Sequence, residues 1–303
     1  MKKISICIPV LNEEVNILNI YDKIVDLFKG KLNQYEYEII FTDNNSEDNT
    51  EKIITDLCKK DHKVKYVRFR SNLDYDKSIL EGYKHSSGDA AIVIDCDLQD
   101  PPELFEKFIE KWKEGYDVVY GVVNSRKETF IENLFRKIFY FIMNLNSDFR
   151  YPLNAHDFRL VDRSVINNFK DNNNLYPYVR GLTFSLSHNP CGIEYDREKR
   201  TKGKSKLGIY NSFTYAINAF LEETFFFTAI FRRITLIFLL LVSIFSIINF
   251  FQEFYYLEFY KNLNILILTF VCMFLAIICE YVTRIYFQLK KTERNIHEKK
   301  INL

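Results

Sequence analysis

The run Asp95-Cys96-Asp97-Leu98-Gln99-Asp100-Pro101-Pro102 concentrates three carboxylates and an amide into a few residues. Asp95 and Asp97, one residue apart, offer hard oxygen ligands for a divalent cation that carries a phosphate-bearing substrate. An acidic pair alone is a weak signal, because such pairs are common in solvated loops. Its setting strengthens it. Residues 90–94 are apolar and read as a buried strand, which the proline pair forbids from continuing. Carboxylates at the C-terminal end of a strand in an α/β sheet stand where such sheets bind ligands. A second stretch, Arg197-Glu-Lys-Arg-Thr-Lys-Gly-Lys-Ser-Lys206, suits a flexible clamp on phosphates, with a solvated charge run as the plainer alternative.

The elements that must position these groups follow from hydrophobic spacing. Residues 4–10 form a short β-rich run, and Ile17, Ile20, Ile24, Leu27 and Phe28 then recur at helical period. Residues 36–41 read as a second strand, followed by a polar turn in which Ser46 or Asn49 is expected to cap the next helix. Residues 64–69 read as a third strand and 77–85 as a helix closed by Ser86-Ser87-Gly88. After the 90–94 strand come a helix at 103–112 and a strand at 117–121. Strands alternating with helices predict a mostly parallel, doubly wound α/β sheet. No G-x-G-x-x-G follows the first strand and no P-loop motif occurs, which disfavours dinucleotide oxidoreductases and P-loop NTPases.

A formal net charge of +1 gives no electrostatic case for nucleic acid. The 28 Phe and 20 Tyr stand against only 9 Gly, and the aromatic excess in the C-terminal half points to a membrane. The six cysteines show no C-x-x-C spacing and read as small buried hydrophobes. The start Met-Lys-Lys runs straight into a strand pattern, so no signal peptide is expected. Residues 129–145 are apolar with Arg136 and Lys137 inset, either a packing helix or one lying in a membrane interface. Residues 234–252 and 262–279 carry no charge, and each approaches the roughly 20 residues that cross a ~30 Å hydrocarbon core. Arg232 and Arg233 flank one side, and Arg284, Lys290, Lys291 and Arg294 the other. By the positive-inside rule both flanks are cytoplasmic. The expected organisation is a cytosolic catalytic domain at 1–206, a juxtamembrane linker at 207–233, membrane helices at 234–252 and 262–284, and a cytosolic tail at 285–303. Glu280 and Arg284, four residues apart at the helix edge, read equally as an interfacial ion pair or a functional pair.

Read together in order, the motifs resemble a known family. They are Pro9-x-x-Asn12-Glu13, Asp43-x-x-Ser46, Gly88-Asp89, the Asp95–Pro102 run, Tyr120-Gly121, Asp157-Phe158-Arg159-Leu160, Arg180-Gly181, Gly203-x-Ser205-Lys206 and Glu280-Tyr281-x-x-Arg284-Ile285-Tyr286. The chain resembles the family-2, GT-A-fold (nucleotide-diphospho-sugar transferase) glycosyltransferases that load a sugar onto a polyprenyl phosphate, including bactoprenol glucosyltransferases and dolichyl-phosphate mannose synthase. The resemblance implies a nucleotide-sugar donor, UDP-hexose favoured, and a lipid-phosphate acceptor attacking the anomeric carbon with inversion. It implies Mg2+ or Mn2+ held by Asp95, Asp97 and Gln99, with Asp97 essential to catalysis. Pro9, Leu11, Glu13 and Asp43 would line the nucleoside pocket, with Asn44 in a slot that is usually a second aspartate. Asp157 matches a candidate base or acceptor-orienting carboxylate, with pairing to an arginine as the alternative role. Arg180, Arg200, Lys204 and Lys206 would bind phosphate.

This chain departs from the family pattern at several positions. The usual Asn-Phe-Gly-Lys loop reads Asn72-Leu73-Asp74-Tyr75-Asp76-Lys77. Asn-Ala-Gly-Asp becomes Asn154-Ala155-His156-Asp157, which places an imidazole beside the candidate base, with a surface residue in a glycine slot as the plainer reading, and Asp100 reads as shaping the turn. Thr283 takes the place of a glycine in the tail. Two other readings compete: a processive polysaccharide synthase of the same fold, and a membrane-anchored binding protein without activity. The first typically carries Gln-x-x-Arg-Trp, whereas the sole tryptophan here, Trp112, follows Glu110 and Lys111. The second sits poorly with intact Asp95, Asp97, Gln99 and Asp157. The sugar and the state of homo-oligomerisation stay open.

Overall fold

A strand buried on both faces can be apolar at every position, whereas an edge strand alternates. The computed structural model describes residues 1–124, 155–168, 178–197 and 297–303, with isolated positions elsewhere between 137 and 285. In it β1 (Lys3–Val10) is buried along nearly its whole length and β2 (Glu36–Asp43) likewise. Between them α1 (Ile17–Lys29) lays Ile17, Ile20, Ile24, Val25 and Phe28 on the sheet. α2 (Thr50–Lys60), β3 (Val64–Phe69), α3 (Tyr75–His85) and β4 (Ala90–Val93) continue the alternation. The prolines then open a 3-10 turn at Pro102–Leu104 that leads into α4 (Phe105–Lys113), whose Phe105, Phe108, Ile109 and Trp112 are buried. β5 (Val118–Val123) follows.

The remaining described elements are β6 (Ala155–Asp162), α5 (Arg163–Asn167), α6 (Val179–Ser185), β7 (Pro190–Tyr195) and β8 (His297–Ile301). The sheet order is β7-β5-β6-β4-β1-β2-β3-β8. β1 pairs in parallel with β2 and β4, and β2 with β3, as a doubly wound sheet requires. β6 is the exception that matters: it runs antiparallel between β4 and β5. Core side chains fall on both faces. Ile4, Ile6, Ile8 and Val10 of β1 join the cluster under α1 and α4, while Cys7 joins the cluster under α3. There α3 comes so close that a Cβ on Gly82 would lie 3.0 Å from the Cys7 Cβ.

Three strands were not expected. β6 and β7 lie in a stretch whose polar residues hide the period, and β8 falls in the presumed tail. β8 is nearly all charged, and charge is how exposed sheet edges avoid pairing with other chains. The expected caps of α2 are replaced: Asn49 makes no side-chain capping bond, and the Thr50 N–H donates to Asp48 Oδ1 at 3.0 Å. Cys7, Cys58 and Cys96 are buried free thiols, as expected.

The chain divides into two units, Met1–Glu223 with Arg294–Leu303, and Thr224–Glu293. Among the described residues no helix is long and apolar enough to cross a membrane. The 207–233 linker and most of the 129–145 helix, of both expected membrane helices and of the tail before 297 lie outside the described residues.

At the edge of the sheet opposite the chemistry, Glu38 is buried and fully engaged. It accepts from Ser5 Oγ at 2.6 Å and from the Ser87 N–H at 2.6 Å, and it pairs with Lys3 at 2.7 Å and Lys65 at 3.0 Å. Burial alone would raise its pKa, but the bonds from Lys3, Ser5 and Ser87 outweigh burial and hold it down to about 2. Its contribution to stability is therefore complete above the unfolded value of about 4.3 and is lost as pH falls from there toward the folded value. Glu38→Ala is expected to cost about 3–5 kcal/mol in denaturant unfolding at neutral pH and to flatten that acid limb. An unchanged midpoint would contradict the network's role.

Candidate active site

The ladder between β4 and β6 ends at the pair Val93–Arg159. Two residues beyond that pair, Asp95 just past β4 and Asp157 within β6 stand at the same edge, because β6 is antiparallel. The C-terminal ends of β1 and β2 lie on that edge too, so the expected site residues of four strands are brought to one place.

On the β1–β2 side the loops are laced together. The Asn12 N–H donates to Ser46 Oγ at 2.8 Å and the Glu47 N–H returns to Asn12 Oδ1 at 2.7 Å. The Glu13 N–H donates to Thr50 Oγ1 at 2.9 Å, while the Glu13 carboxylate accepts from Asn16. Asn12 and Asn45 both take positive φ, which asparagine tolerates well. Asp43 is fully buried. It accepts four bonds, from the Ser46 N–H and hydroxyl, from Tyr66 OH at 2.6 Å and from Arg68 Nη1 at 2.8 Å. The Asn44 amide is likewise engaged, donating to Asn72 and accepting from the Leu73 N–H. Pro9 pairs with Thr42 in the ladder, and Leu11 follows β1 directly. Asp43 and Asn44 therefore hold the shape of a loop pair rather than pointing unused polar atoms into a pocket.

On the β4 side the grouping differs from expectation. Asp95, Asp100 and His156 bring ligand-type atoms within 4.8 Å of one another. Asp97 is buried and accepts the Gln99 N–H at 3.1 Å, within a turn where Leu98 adopts φ 60°. Asp100 does more than shape the turn. It is fully buried and accepts from Tyr195 OH and from Arg197 Nε. Asp95 accepts from Tyr75 OH at 2.6 Å and from Arg197 Nη2 at 3.2 Å. Burial, and then the charge of Asp100, push Asp95 up to about 7, against the pull of Tyr75 and Arg197. A bound divalent cation would reverse that shift. Two carboxylates and an imidazole already drawing on a guanidinium for positive charge fit such a cation.

Beside this cluster Asp157 is held by two arginines. Its Oδ1 accepts from Arg159 Nη2 and from Arg180 Nε at 3.1 Å, and its Oδ2 from Arg180 Nη2. Burial would raise its pKa, but the charges of Arg180 and Arg159 prevail and keep it below the usual carboxylate range. Arg159 is fully buried, and its Nε and Nη1 find no hydrogen-bond partner among the described residues. Nearby Asp76, buried and accepting the Val179 N–H at 3.2 Å, is pushed up to about 7 by burial and by the Asp157 charge. Arg200, Lys204 and Lys206 lie outside the described residues. Tyr75, Asp76, Asp100 and Arg197 were not foreseen in the site, whereas the pairing of Asp157 with Arg159 is the alternative role expected for that carboxylate. Arg197 and His156 were visible only as a charge run and a glycine replacement.

Removing one partner of a buried pair strands the other charge. Asp157→Asn should therefore lower unfolding free energy by about 3 kcal/mol, and adding Arg159→Met should recover much of that loss. If the double variant is less stable than the single one in urea, the pairing described here does not govern this edge.

Residues 5–169 match Glycosyl transferase family 2. The chain is 37% identical over 203 residues to the glycosyltransferase YkcC of Bacillus subtilis (strain 168), covering 67% of this chain and 62% of that one. It is 34% identical over 216 residues to the bactoprenol glucosyl transferase of Shigella phage SfX, covering 71% of this chain and 70% of that one. A crystal structure of a mycobacterial protein, 18% identical, superposes with a TM-score of 0.50 over 73% of this chain and 75% of that chain, a likeness of fold. The match thus extends over 62–70% of the two relatives' own length. The matched segment takes in both the acidic turn after β4 and the antiparallel β6 that carries Asp157, and the chain belongs to glycosyl transferase family 2.

Proposed function

We propose that the protein transfers a monosaccharide from a nucleotide sugar, a UDP-hexose, onto polyprenyl phosphate at the cytosolic face of a membrane, with inversion. The observation that carries this reading is the adjacency of two differently charged seats on one sheet edge. The Asp95–Asp100–His156 cluster suits a cation that bridges a diphosphate, and Arg180, held by Asp157, presents a guanidinium suited to a second phosphate. Asp97 and Gln99 stand in the same turn as Asp95 and Asp100 and complete the donor end. A bound Mg2+ or Mn2+ supplies charge neutralisation for the departing diphosphate.

The electrostatics favour an orienting role for Asp157 over a basic one. Its carboxylate is ionised and engaged by two guanidiniums, so it is a poor proton acceptor. A lipid phosphate needs no such acceptor, because its second ionisation lies near pH 6. Its oxygen attacks the anomeric carbon from the side opposite the diphosphate, the carbon–oxygen bond to the diphosphate breaks, and the configuration inverts. Arg200, Lys204 and Lys206, following Arg197 in the basic run, add phosphate contacts in this reading. Leu11 and Glu13 flank the nucleoside end.

A membrane-borne acceptor agrees with the second unit. There Ile237, Leu240 and Leu241, and Leu268, Val271, Leu275 and Ile278, are helical positions with exposed apolar side chains. Exposed apolar surface of this kind calls for a covering. The anchor is a two-helix hairpin with both chain ends in the cytosol, and the relative named bactoprenol glucosyl transferase supports the lipid class.

Membranes carrying the protein, given radiolabelled UDP-sugars, polyprenyl phosphate and Mg2+ or Mn2+, should label an organic-extractable lipid. Asp97→Ala should lower labelling at least ~100-fold. If no donor labels the lipid, or if Asp97→Ala labels it as wild type does, the reading fails. The rate should fall below about pH 6, as the acceptor phosphate takes up its second proton. An acid limb that moves in Asp157→Asn would instead make Asp157 the base.

A further inference from the structure

His156 is the residue of the site that the family resemblance does not account for. It lies at the start of β6, whose Ala155 pairs with Val122 of β5, so the backbone that carries the ring is fixed. The side chain is only 12% exposed, and its Nδ1 lies 3.5 Å from Asp100 Oδ2. The Phe158 N–H points at the same Nδ1 from 3.3 Å, a long contact that requires a lone pair on that nitrogen. An imidazole beside two carboxylates, with ligand-type atoms of all three within 4.8 Å of one another, makes a candidate ligand set.

We propose that His156 is a direct ligand, with Asp95 and Asp100, of the divalent cation at the donor end of this site, and that it biases the site toward Mn2+ over Mg2+. The proposal rests on the metal-assisted reading given above. Its physical basis is donor chemistry. Carboxylate oxygens serve both ions, but Mg2+ is a hard cation that takes oxygen ligands in a near-ideal octahedron. An imidazole nitrogen is a donor that transition-metal ions accept and Mg2+ disfavours. The local charge already asks for a cation. Asp95 and Asp100 both contact Arg197, whose guanidinium supplies the positive charge here.

A second group, Glu81, His85 and His297, also gathers ligand-type atoms. Glu81 is that group's single carboxylate and faces two cations, Lys84 at 3.2 Å and Lys77 at 3.8 Å, whereas Asp95 and Asp100 share one guanidinium. The group nevertheless serves as the control for any imidazole signal.

The test uses the full chain in detergent, with UDP present and Mn2+ as the probe. Electron spin-echo envelope modulation of bound Mn2+ should show coupling to a directly coordinated imidazole nitrogen. That coupling should vanish in His156→Ala and persist in His297→Ala. Mn2+ affinity should fall about tenfold or more in His156→Ala, while Mg2+ affinity, read by competition, should stay unchanged. Absence of nitrogen coupling in the wild type overturns the proposal whether or not the variant folds, as does its persistence in His156→Ala. Nitrogen coupling without sugar transfer to lipid would sink the functional reading and leave the ligand assignment standing.

Discussion

Partly exposed Asp95 stands beside fully buried Asp100, and like charges so close oppose one another unless positive charge or hydrogen-bond donors meet them. Most of what is distinctive at this sheet edge answers that constraint. Tyr75 donates to Asp95, Tyr195 donates to Asp100, and Arg197 reaches both. The same logic repeats one strand over, where Asp157 is fixed by Arg159 and Arg180. The edge therefore alternates an acid-rich seat with a guanidinium-rich one.

Both seats depend on the direction of β6. If β6 ran parallel to β4, its first residues would emerge at the opposite edge of the sheet, with Glu38. Running antiparallel, it delivers His156 and Asp157 beside the turn that follows β4. The packing that holds it there is aromatic. Phe158 lies against Phe105, Phe108 and Tyr195, with the Phe108 ring centroid 4.7 Å away. Buried Asp157, on the alternate face of β6, is thus placed by rings packed against Phe158.

Much of this architecture was legible from spacing alone. β1 to β4 and the helices between them carry uninterrupted apolar runs or a 3.6-residue period, and both signals are local. The acidic turn was legible because prolines mark the end of its strand. What escaped was whatever required knowing neighbours. Ala-His-Asp-Phe-Arg-Leu-Val-Asp has neither an unbroken apolar run nor a regular alternation, so nothing local marks it as a strand until β4 stands beside it. Asp100 looked like a turn residue because its partners, Tyr195 and Arg197, arrive about a hundred positions later. Nothing in the sequence shows that Tyr66 and Arg68 donate to the Asp43 oxygens.

β8 has a consequence for the order in which the molecule is made. Arg68, which steadies Asp43, is also gripped by Glu298, 230 positions further along the chain. Lys299 reaches back to Glu51, and Asn302 to the carbonyls of Cys58 and Val64. During synthesis the β3 edge therefore emerges long before its partner exists. Until then its unpaired amides and carbonyls are open to any extended segment. The Thr224–Glu293 unit is translated in that interval. A ribosome-bound chain thus carries an unfinished sheet while its apolar segments emerge.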